Sequence, residues 1–528
     1  MRDDAPAMAT PSPSAPPAGT SPGERTEGFT RWRLAAVVVL GGQLAWLLAQ
    51  SAGIFGRFAL TSDFALFYQA AHQIAGGTLS PAGTIYRSAP FLTNHFELII
   101  YPLSLLVLVD RSGLALLYAQ DLATVAAELV VFWWVGDILS ERWRADPKGR
   151  HAMAAGTLVV LALDPWIWWA NAFDLHLEAF ATLFVVMAGR AFWHRRWTGW
   201  VWLVAALSCG TVEAAALLGL GLFLLCSGRD RWRPGAGVLV ATAAWIVSWN
   251  AAGFDLGSQL GANYRYLTGS SNASLGAVAV GALRHPVTVT AHLSHRARDL
   301  WRFLGGSGFF GIASAAGLAM VLAVFVPGAL NLSPYVVAPQ SSFQVLPLLL
   351  FVPIGSVLLC CWLVSRREKW SRALALVAGL AAVVQVVVLS VLWIPQVPKE
   401  FLQVTPAGAR VLTTIAARTP AGAEVVSSNG FVGRFAGRRW IYTDFGPAPG
   451  VRVADEPVPV HARVLELVLS PSQGIYQAPP AVTAAAIAEL RHRPGVSVLA
   501  QGAGITAFVW HAPPGVRTFP LYGYRGSD

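Results

Sequence analysis

The chain has 528 residues, of which 12% are charged and 55% hydrophobic, with 21 Trp and 26 Phe. A soluble domain is about 25% charged, so too little polar surface remains here to cover a water-soluble globule, and lipid is the alternative solvent. The formal charge of +10 does not point to nucleic acid, because the basic residues sit in short clusters between apolar runs and no aromatic-basic groove or known motif accompanies them. The four cysteines, Cys209, Cys226, Cys360 and Cys361, all lie within apolar runs at no metal or redox spacing, so they read as small apolar helix residues.

Residues 1–30 are rich in Pro, Ala, Ser, Gly and Thr and predict a disordered cytoplasmic tail. Arg31 and Arg33 precede an apolar run at 34–50. A cleaved signal peptide is the rival reading, but the long tail and the later apolar runs favour an uncleaved anchor. Further runs at 114–138, 152–170, 176–193, 200–226, 236–252, 304–330, 343–364 and 373–394 predict an α-helical polytopic membrane protein of ten or eleven crossings. Two runs are too long for one crossing at about 1.5 Å per residue. The first, 200–226, is interrupted by Gly210, Thr211 and Glu213; the second, 304–330, by Gly305, Gly306, Gly308 and Pro327. Each predicts a hairpin of two half-length helices.

The basic clusters test that count. They are Arg142, Arg144, Lys148 and Arg150; Arg190, Arg195 and Arg196; Arg229, Arg231 and Arg233; and Arg366, Arg367, Lys369 and Arg372. All fall on the side of Arg31 and Arg33 only if both long runs are hairpins, which gives eleven segments and makes that side cytoplasmic. The transmembrane domain is then 31–394, with a long first outer loop at 53–113. The outer side also takes the turn at 170–176, the tip near Glu213, the loops 253–303 and 331–342, and everything after about 395. In the first loop, Phe64, Phe67, Tyr68, Ala71, Ile74 and Ala75 recur at helical spacing and predict an amphipathic helix on the membrane surface. Residues 98–109 are apolar but short, predicting a re-entrant or interfacial helix. The tail, 395–528, predicts a small extracytoplasmic α/β domain. Its elements are helices at 407–418 and 482–491, strands at 424–427 and 440–442, and a closing strand pair at 496–499 and 505–510.

Ionisable groups at membrane depth or at a membrane-facing cleft are costly and mark candidate sites. Asp63, in Thr61-Ser62-Asp63-Phe64, reads as a helix N-cap or as a general base at headgroup level. Asn94-His95-Phe96-Glu97 opens the short apolar segment; His95 and Glu97 share a metal- or phosphate-linked network if the backbone there is extended, and otherwise form a polar helix start. Asp174, His176 and Glu178 lie within five positions, with Asp174 and Glu178 predicted on one helix face. Glu213 stands alone among Ala, Leu and Gly, and Arg265 in the next outer loop is its candidate partner. No phosphate-binding loop, dinucleotide fingerprint or hydrolase motif occurs in a fitting context.

Over about residues 60–510, the chain resembles the domain of unknown function 2079 family of predicted bacterial membrane proteins, and through it the C-type (GT-C) glycosyltransferase superfamily. The resemblance rests on Ser62-Asp63-Phe64-Ala65-Leu66-Phe67-Tyr68-Gln69, Asn94-His95-Phe96-Glu97, Phe173-Asp174-Leu175-His176-Leu177-Glu178 and Glu213. In the tail it rests on Pro420-Ala421-Gly422-Ala423-Glu424-Val425, Ser428-Asn429 and Trp440-Ile441-Tyr442. The chain departs from the family at its Lys-Glu-Asp step, where Val212 and Ala214 flank Glu213, and at a His/Tyr-rich element that is Gln340-Ser341-Ser342-Phe343 here. The resemblance implies an inverting transferase in the bacterial plasma membrane that takes a lipid-linked, polyprenyl-phosphate sugar donor on the outer face. Asp63 is then the base, and Asn94, His95, Glu97, Asp174, His176, Glu178, Glu213 and Arg265 are substrate-binding. Cations or a divalent metal near His95, Asp174 and His176 would stabilise the leaving phosphate. Membrane lipid and the lipid-linked donor are the implied partners. Two other classes stay open: a non-enzymatic binding or assembly protein on the same scaffold, and a transporter, for which broken helices with a carboxylate at the break are a pointer.

Overall fold

The computed structural model describes residues 22–86, 89–143, 147–210, 212–251, 254, 256–306, 309–333, 338–366, 368–444, 457–475 and 478–521. The tail expected at 1–30 lies largely outside these, and helix already begins at Pro22. The helices run α1 (Pro22–Gly56), α2 (Ser62–Ala75), α3 (Phe91–Asn94), α4 (Ile100–Val109), α5 (Leu114–Arg142), α6 (Pro147–Leu163), α7 (Pro165–Ala172) and α8 (Glu178–Trp193). There follow α9 (Thr198–Leu207), α10 (Val212–Cys226), α11 (Trp232–Ala251), α12 (Leu256–Thr268), α13 (Leu275–Arg284), α14 (Pro286–His295), α15 (Ala297–Gly306), α16 (Ala315–Met320) and α17 (Val326–Leu330). Then come α18 (Leu346–Ser365), α19 (Lys369–Trp393), α20 (Val397–Phe401), α21 (Pro406–Arg418) and α22 (Pro480–His492). Strands β1 (Ala82–Gly83) and β2 (Ala89–Pro90) form a small ribbon after α2.

Local chemistry sets several of these boundaries. Asp164-Pro165 splits one apolar run into α6 and α7: the Asp164 carboxylate accepts the Trp166 N–H at 3.0 Å, and proline suits the first helical position. Thr405-Pro406 starts α21 in the same way. The break after Leu207 divides the 200–226 run as expected, leaving α9 only ten residues long. The 304–330 run divides differently. Its first half reaches back to Ala297, and a nearly continuous helical stretch carries Pro327 through α17. Here α15 packs on α19 while α16 packs on α10 and α18, so the two halves do not form a mutual hairpin. The expected loop at 253–303 is mostly helical, because Ser274 and Pro286 open α13 and α14.

Among the described residues, five helices are long and apolar enough to cross a membrane: Thr30–Gly56, Leu114–Arg142, Pro147–Ala172, Pro339–Ser365 and Lys369–Arg418. Ile100–Val109, Thr198–Leu207, Glu213–Cys226, Leu275–Arg284 and Ala315–Leu330 are apolar but shorter. The expected ten or eleven crossings are therefore reached only by counting the shorter pieces. An aromatic cluster of Trp134, Trp193, Phe223 and Phe351 ties α5, α8, α10 and α18 together.

The basic clusters gather at one end of this bundle. Trp32 donates to His151 at 2.9 Å, joining the starts of α1 and α6. Arg190 and His194 both meet Asp137, and Arg231 lies over Trp193 at 3.8 Å. Arg144 and Arg367 lie outside the described residues.

The C-terminal unit is α/β. Its five-stranded sheet has the order β4 (Ile441–Thr443), β3 (Glu424–Ser427), β6 (Val464–Leu469), β8 (Ile505–His511), β7 (Val496–Gly502). β3 runs parallel to β4 and β6, whereas β8 is antiparallel to β6 and β7. The sheet's middle strand, β6, is an element that the sequence reading lacked. Strand β5 (Val458–Pro459) pairs with β9 (Thr518–Phe519) at the margin.

This unit seats on the first loop. The expected membrane-surface helix is α2, but Phe64–Ala71 are all buried, between α4 on one side and the turn at Asn429–Phe435 on the other. Gly433 is what permits the approach: a Cβ there would stand 2.6 Å from the Leu60 Cβ, and its N–H donates to the Leu60 carbonyl at 2.9 Å. Arg434 donates to the Phe55 carbonyl at 2.7 Å and covers the rings of Phe55 and Phe58. Replacing Gly433 by Ala should therefore cost about 1–3 kcal/mol, as overpacking does. It should lower the thermal midpoint in detergent and speed proteolysis between the bundle and the C-terminal unit.

Candidate functional site

Helix α2 starts at Ser62, and its N-cap is Thr61, not Asp63. The Thr61 hydroxyl accepts the Asp63 N–H at 3.4 Å and donates to the Asp174 carboxylate. The same carboxylate accepts the Thr61 N–H at 2.9 Å. Asp63 is thereby placed in the first turn of α2, half-buried, two residues after a cap gripped from the membrane bundle.

Asp174 is 2% exposed and adopts a left-handed backbone, φ 49°. Residues 173–177 are not helical, so the expected shared helix face of Asp174 and Glu178 does not form; Glu178 opens α8, and Asp174 belongs to the turn ahead of it. The turn is held by α5. Gln120 donates to the Asp174 carbonyl at 3.0 Å and accepts the His176 N–H, and Thr124 donates to Asn171 at 2.7 Å. A buried glutamine satisfying both a donor and an acceptor of one turn fixes its backbone.

His95 follows α3 with extended geometry, φ −132° and ψ 97°. That is the condition under which His95 and Glu97 share a side, and they lie 3.4 Å apart. The His95 ring stacks on Phe91 and meets Phe67 edge-on. Burial works against the charged imidazole, but Glu97, Asp63 and Glu178 outweigh it and raise its pKa. The side chain of Asn94 lies outside the described residues.

Glu97 reaches the broken helix. The Ile99 N–H donates to the Ser208 carbonyl at 2.9 Å, docking the 95–99 segment on the break. Gly210, at φ 135°, makes room: a Cβ there would stand 2.9 Å from the Glu97 Cγ and 3.2 Å from a Glu213 carboxylate oxygen. Glu178 lies within electrostatic reach of Glu97, Asp63 and His95, and Glu213 within reach of Glu178 and Glu97. Five carboxylates and one histidine from separate chain segments thus converge at the end of the bundle away from the arginine clusters.

Two expected members stand apart. His176 is buried with its ring flat on Phe343, centroids 3.4 Å apart and planes 8° from parallel, and it also touches Phe173. Arg265 is exposed in the last turn of α12. Among the described residues no ion pair joins it to Glu213, which lies at 3% exposure among other acids. The metal set His95, Asp174 and His176 does not fit either. Asp174 is occupied by Thr61, His176 by Phe343, and among the described residues no group of three His, Cys, Asp or Glu is placed to hold a metal. An apolar cavity of about 410 Å³ opens elsewhere, between α6, α18 and α19, and no carboxylate borders it.

The sequence reading missed Thr61 as cap, Gln120, Asn171 and the tail residues that reach α2. The available signal was Gln120-Asp121 inside an otherwise apolar run.

Bundle, broken helices and α/β tail define a polytopic α-helical membrane protein. The chain belongs to the family described as predicted membrane protein (DUF2079), whose model matches residues 58–421. Among solved structures it is similar to ArnT from Cupriavidus metallidurans bound to undecaprenyl phosphate, at 13% identity and a TM-score of 0.48, with 89% of this chain and 98% of that chain covered. The apo state of ArnT gives 13% identity and a TM-score of 0.45 over the same shares. No curated protein matches the chain in sequence.

The His95 shift has a pH consequence. A raised folded-state pKa means that the stabilisation from the His95–Glu97 pair is complete below the ordinary imidazole value of about 6.5. It is lost as pH rises through the raised value. Amide exchange at 95–99 should therefore quicken across that window, and His95→Gln should remove the pH dependence.

Proposed function

We propose that this chain is a membrane glycosyltransferase that uses a polyprenyl-phosphate sugar donor on the outer face of the bacterial plasma membrane, with Asp63 as general base. The observation that carries the reading is the convergence of Asp63, His95, Glu97, Glu178 and Glu213 at one end of the bundle, from segments as far apart as the first outer loop and the α9–α10 break. Membership in a family of predicted membrane proteins is consistent with the lipid side of it. The gathering of Arg142, Arg190 and Arg231 at the opposite end supports a cytoplasmic N-terminus and an extracytoplasmic C-terminal unit.

In this reading Asp63 takes the proton of an acceptor hydroxyl. The oxygen attacks the anomeric carbon and forms the new glycosidic bond. The bond from that carbon to the phosphate oxygen breaks, and its electron pair leaves with the polyprenyl phosphate, inverting the anomeric centre. His95, whose charged form its acidic neighbours favour, donates a hydrogen bond to the departing phosphate. Glu97, Glu178 and Glu213 bind sugar hydroxyls. Asp174 acts through Thr61, aiming the first turn of α2. No step runs through a metal.

The test is full-length protein in nanodiscs with a panel of polyprenyl-phosphate hexoses and pentoses, scored by release of polyprenyl phosphate. Asp63→Asn should slow release about 10²-fold or more, with the fold intact by thermal midpoint. Equal release from the variant and the parent would remove Asp63 as base. Binding of donor with no release in any pairing of donor and acceptor would favour the non-enzymatic reading.

A further inference from the structure

In open α/β sheets the carboxyl ends of the parallel strands are where ligands usually bind. In this tail that edge is made by Ser428 and Asn429 after β3, Asp444 after β4 and Ser470 after β6, all at most 5% exposed. It is not an open pocket. The Asn429 side-chain oxygen accepts the Ser62 N–H at 3.1 Å, at the first residue of α2.

The grip on Ser62 is itself held. Asp444 accepts the Asn429 N–H at 3.2 Å and the Ser428 hydroxyl at 2.8 Å, and the Ser428 hydroxyl accepts the Ser470 N–H at 3.0 Å. The ends of all three parallel strands thus converge on one amide. The first N–H groups of a helix have no partner within it. At α2 they are divided between two bodies: the bundle takes Thr61 through Asp174, and the tail takes Ser62 through Asn429. Asp63 is the next residue. Farther along the helix, Gln69 donates to the carbonyls of Arg438 and Arg439, so the tail holds α2 by a second point.

We infer that Asn429, braced by Asp444, is a positioning residue for Asp63, and that the C-terminal α/β unit is an integral part of the site. The inference rests on the reading of Asp63 as the reacting carboxylate. Its mechanical half, that the tail fixes the Thr61–Asp63 turn, is measurable without any substrate.

The experiment uses full-length protein in nanodiscs and three variants: Asn429→Ala, Asn429→Asp and Asp63→Asn. Asn429→Ala removes the acceptor, so amide exchange at 61–64 should quicken roughly fivefold or more, as the loss of one hydrogen bond allows. Asn429→Asp keeps an acceptor oxygen and should restore protection, which also covers the case in which the alanine variant folds poorly. In turnover of polyprenyl-phosphate sugars, Asn429→Ala should lower kcat about ten- to hundredfold with KM within twofold, as misplacing a reacting group does. Asn429→Asp should recover much of kcat and move the acid limb of the pH–rate profile upward, because its carboxylate adds negative charge beside Asp63. Unchanged exchange in Asn429→Ala overturns the inference. So does parental turnover in Asn429→Ala when Asp63→Asn is inactive. Unchanged turnover in Asp63→Asn overturns the proposed function instead, whatever the exchange shows.

Discussion

The contact between Asp174 and Thr61 is the interaction on which the outer end of this protein depends. A carboxylate at 2% exposure is costly unless its oxygens are occupied. Here they are occupied by the backbone N–H and the hydroxyl of one threonine, two segments 113 residues apart in the chain. The same contact settles two problems. It satisfies a buried acid, and it supplies a partner at a helix start whose N–H groups would otherwise be orphaned. Because Thr61 is the cap, the direction of α2 follows from the position of Asp174. That position follows from Gln120, which holds the 171–176 turn against α5. The chain of dependence therefore runs from a membrane-spanning helix to a turn, from the turn to a cap, and from the cap to the carboxylate one residue inside the helix.

The C-terminal unit depends on the same helix from its other side. The glycine at 433 and the cation at Arg434 let its Asn429–Phe435 turn close on Leu60, Phe55 and Phe58. A helix with one apolar stripe would lie on a membrane surface. Helix α2 instead buries Phe64–Ala71 on both sides, so its surroundings are protein. The apolar periodicity looks the same in either case, because a lipid surface and a protein layer both select against charge. What separates them is the second covering layer, which is encoded more than 350 residues later.

That is the general shape of what the residues disclosed. Hydropathy made the bundle and the break after Leu207 legible, since both follow from local composition and glycine. The α/β tail was legible as alternating elements, although β6 was not. Its burial on both faces gives a run, Val464-Leu465-Glu466-Leu467-Val468-Leu469, that is apolar apart from Glu466 rather than alternating. The site was legible as a set of residues but not as a geometry. Asp174 and Glu178 have helical spacing, yet the left-handed backbone at Asp174 takes it out of the helix. Arg265 was the candidate partner for Glu213 in the next outer loop, but in α12 it is exposed to solvent. His176 has the chemistry of a ligand, but Phe343 claims its ring face.

The composition of the carboxylate end is itself an argument about its use. Two like charges 4 Å apart repel by about 1 kcal/mol in water and by about 4 kcal/mol at a protein-like dielectric. Keeping Asp63, Glu97, Glu178 and Glu213 close together thus costs free energy, either as repulsion between charges or as protons held on buried carboxyls, and His95 is a basic side chain placed among them. A purely structural role would be met more cheaply by amides or apolar residues of similar size. The neighbours of Glu213 in the chain are Val212 and Ala214, so no cation adjoins it in sequence. Compensation for the acids then falls to whatever occupies the space between them. Hydroxyl-rich sugars donate hydrogen bonds to carboxylates at several points at once, and a phosphate would be repelled by the acids except on the His95 side. Under the proposed function, an arrangement that attracts a polyol toward Glu97, Glu178 and Glu213 and leaves the histidine for the anion would orient a sugar phosphate end to end. In that proposal Asp63, fixed at the start of α2, is the carboxylate that meets the incoming hydroxyl.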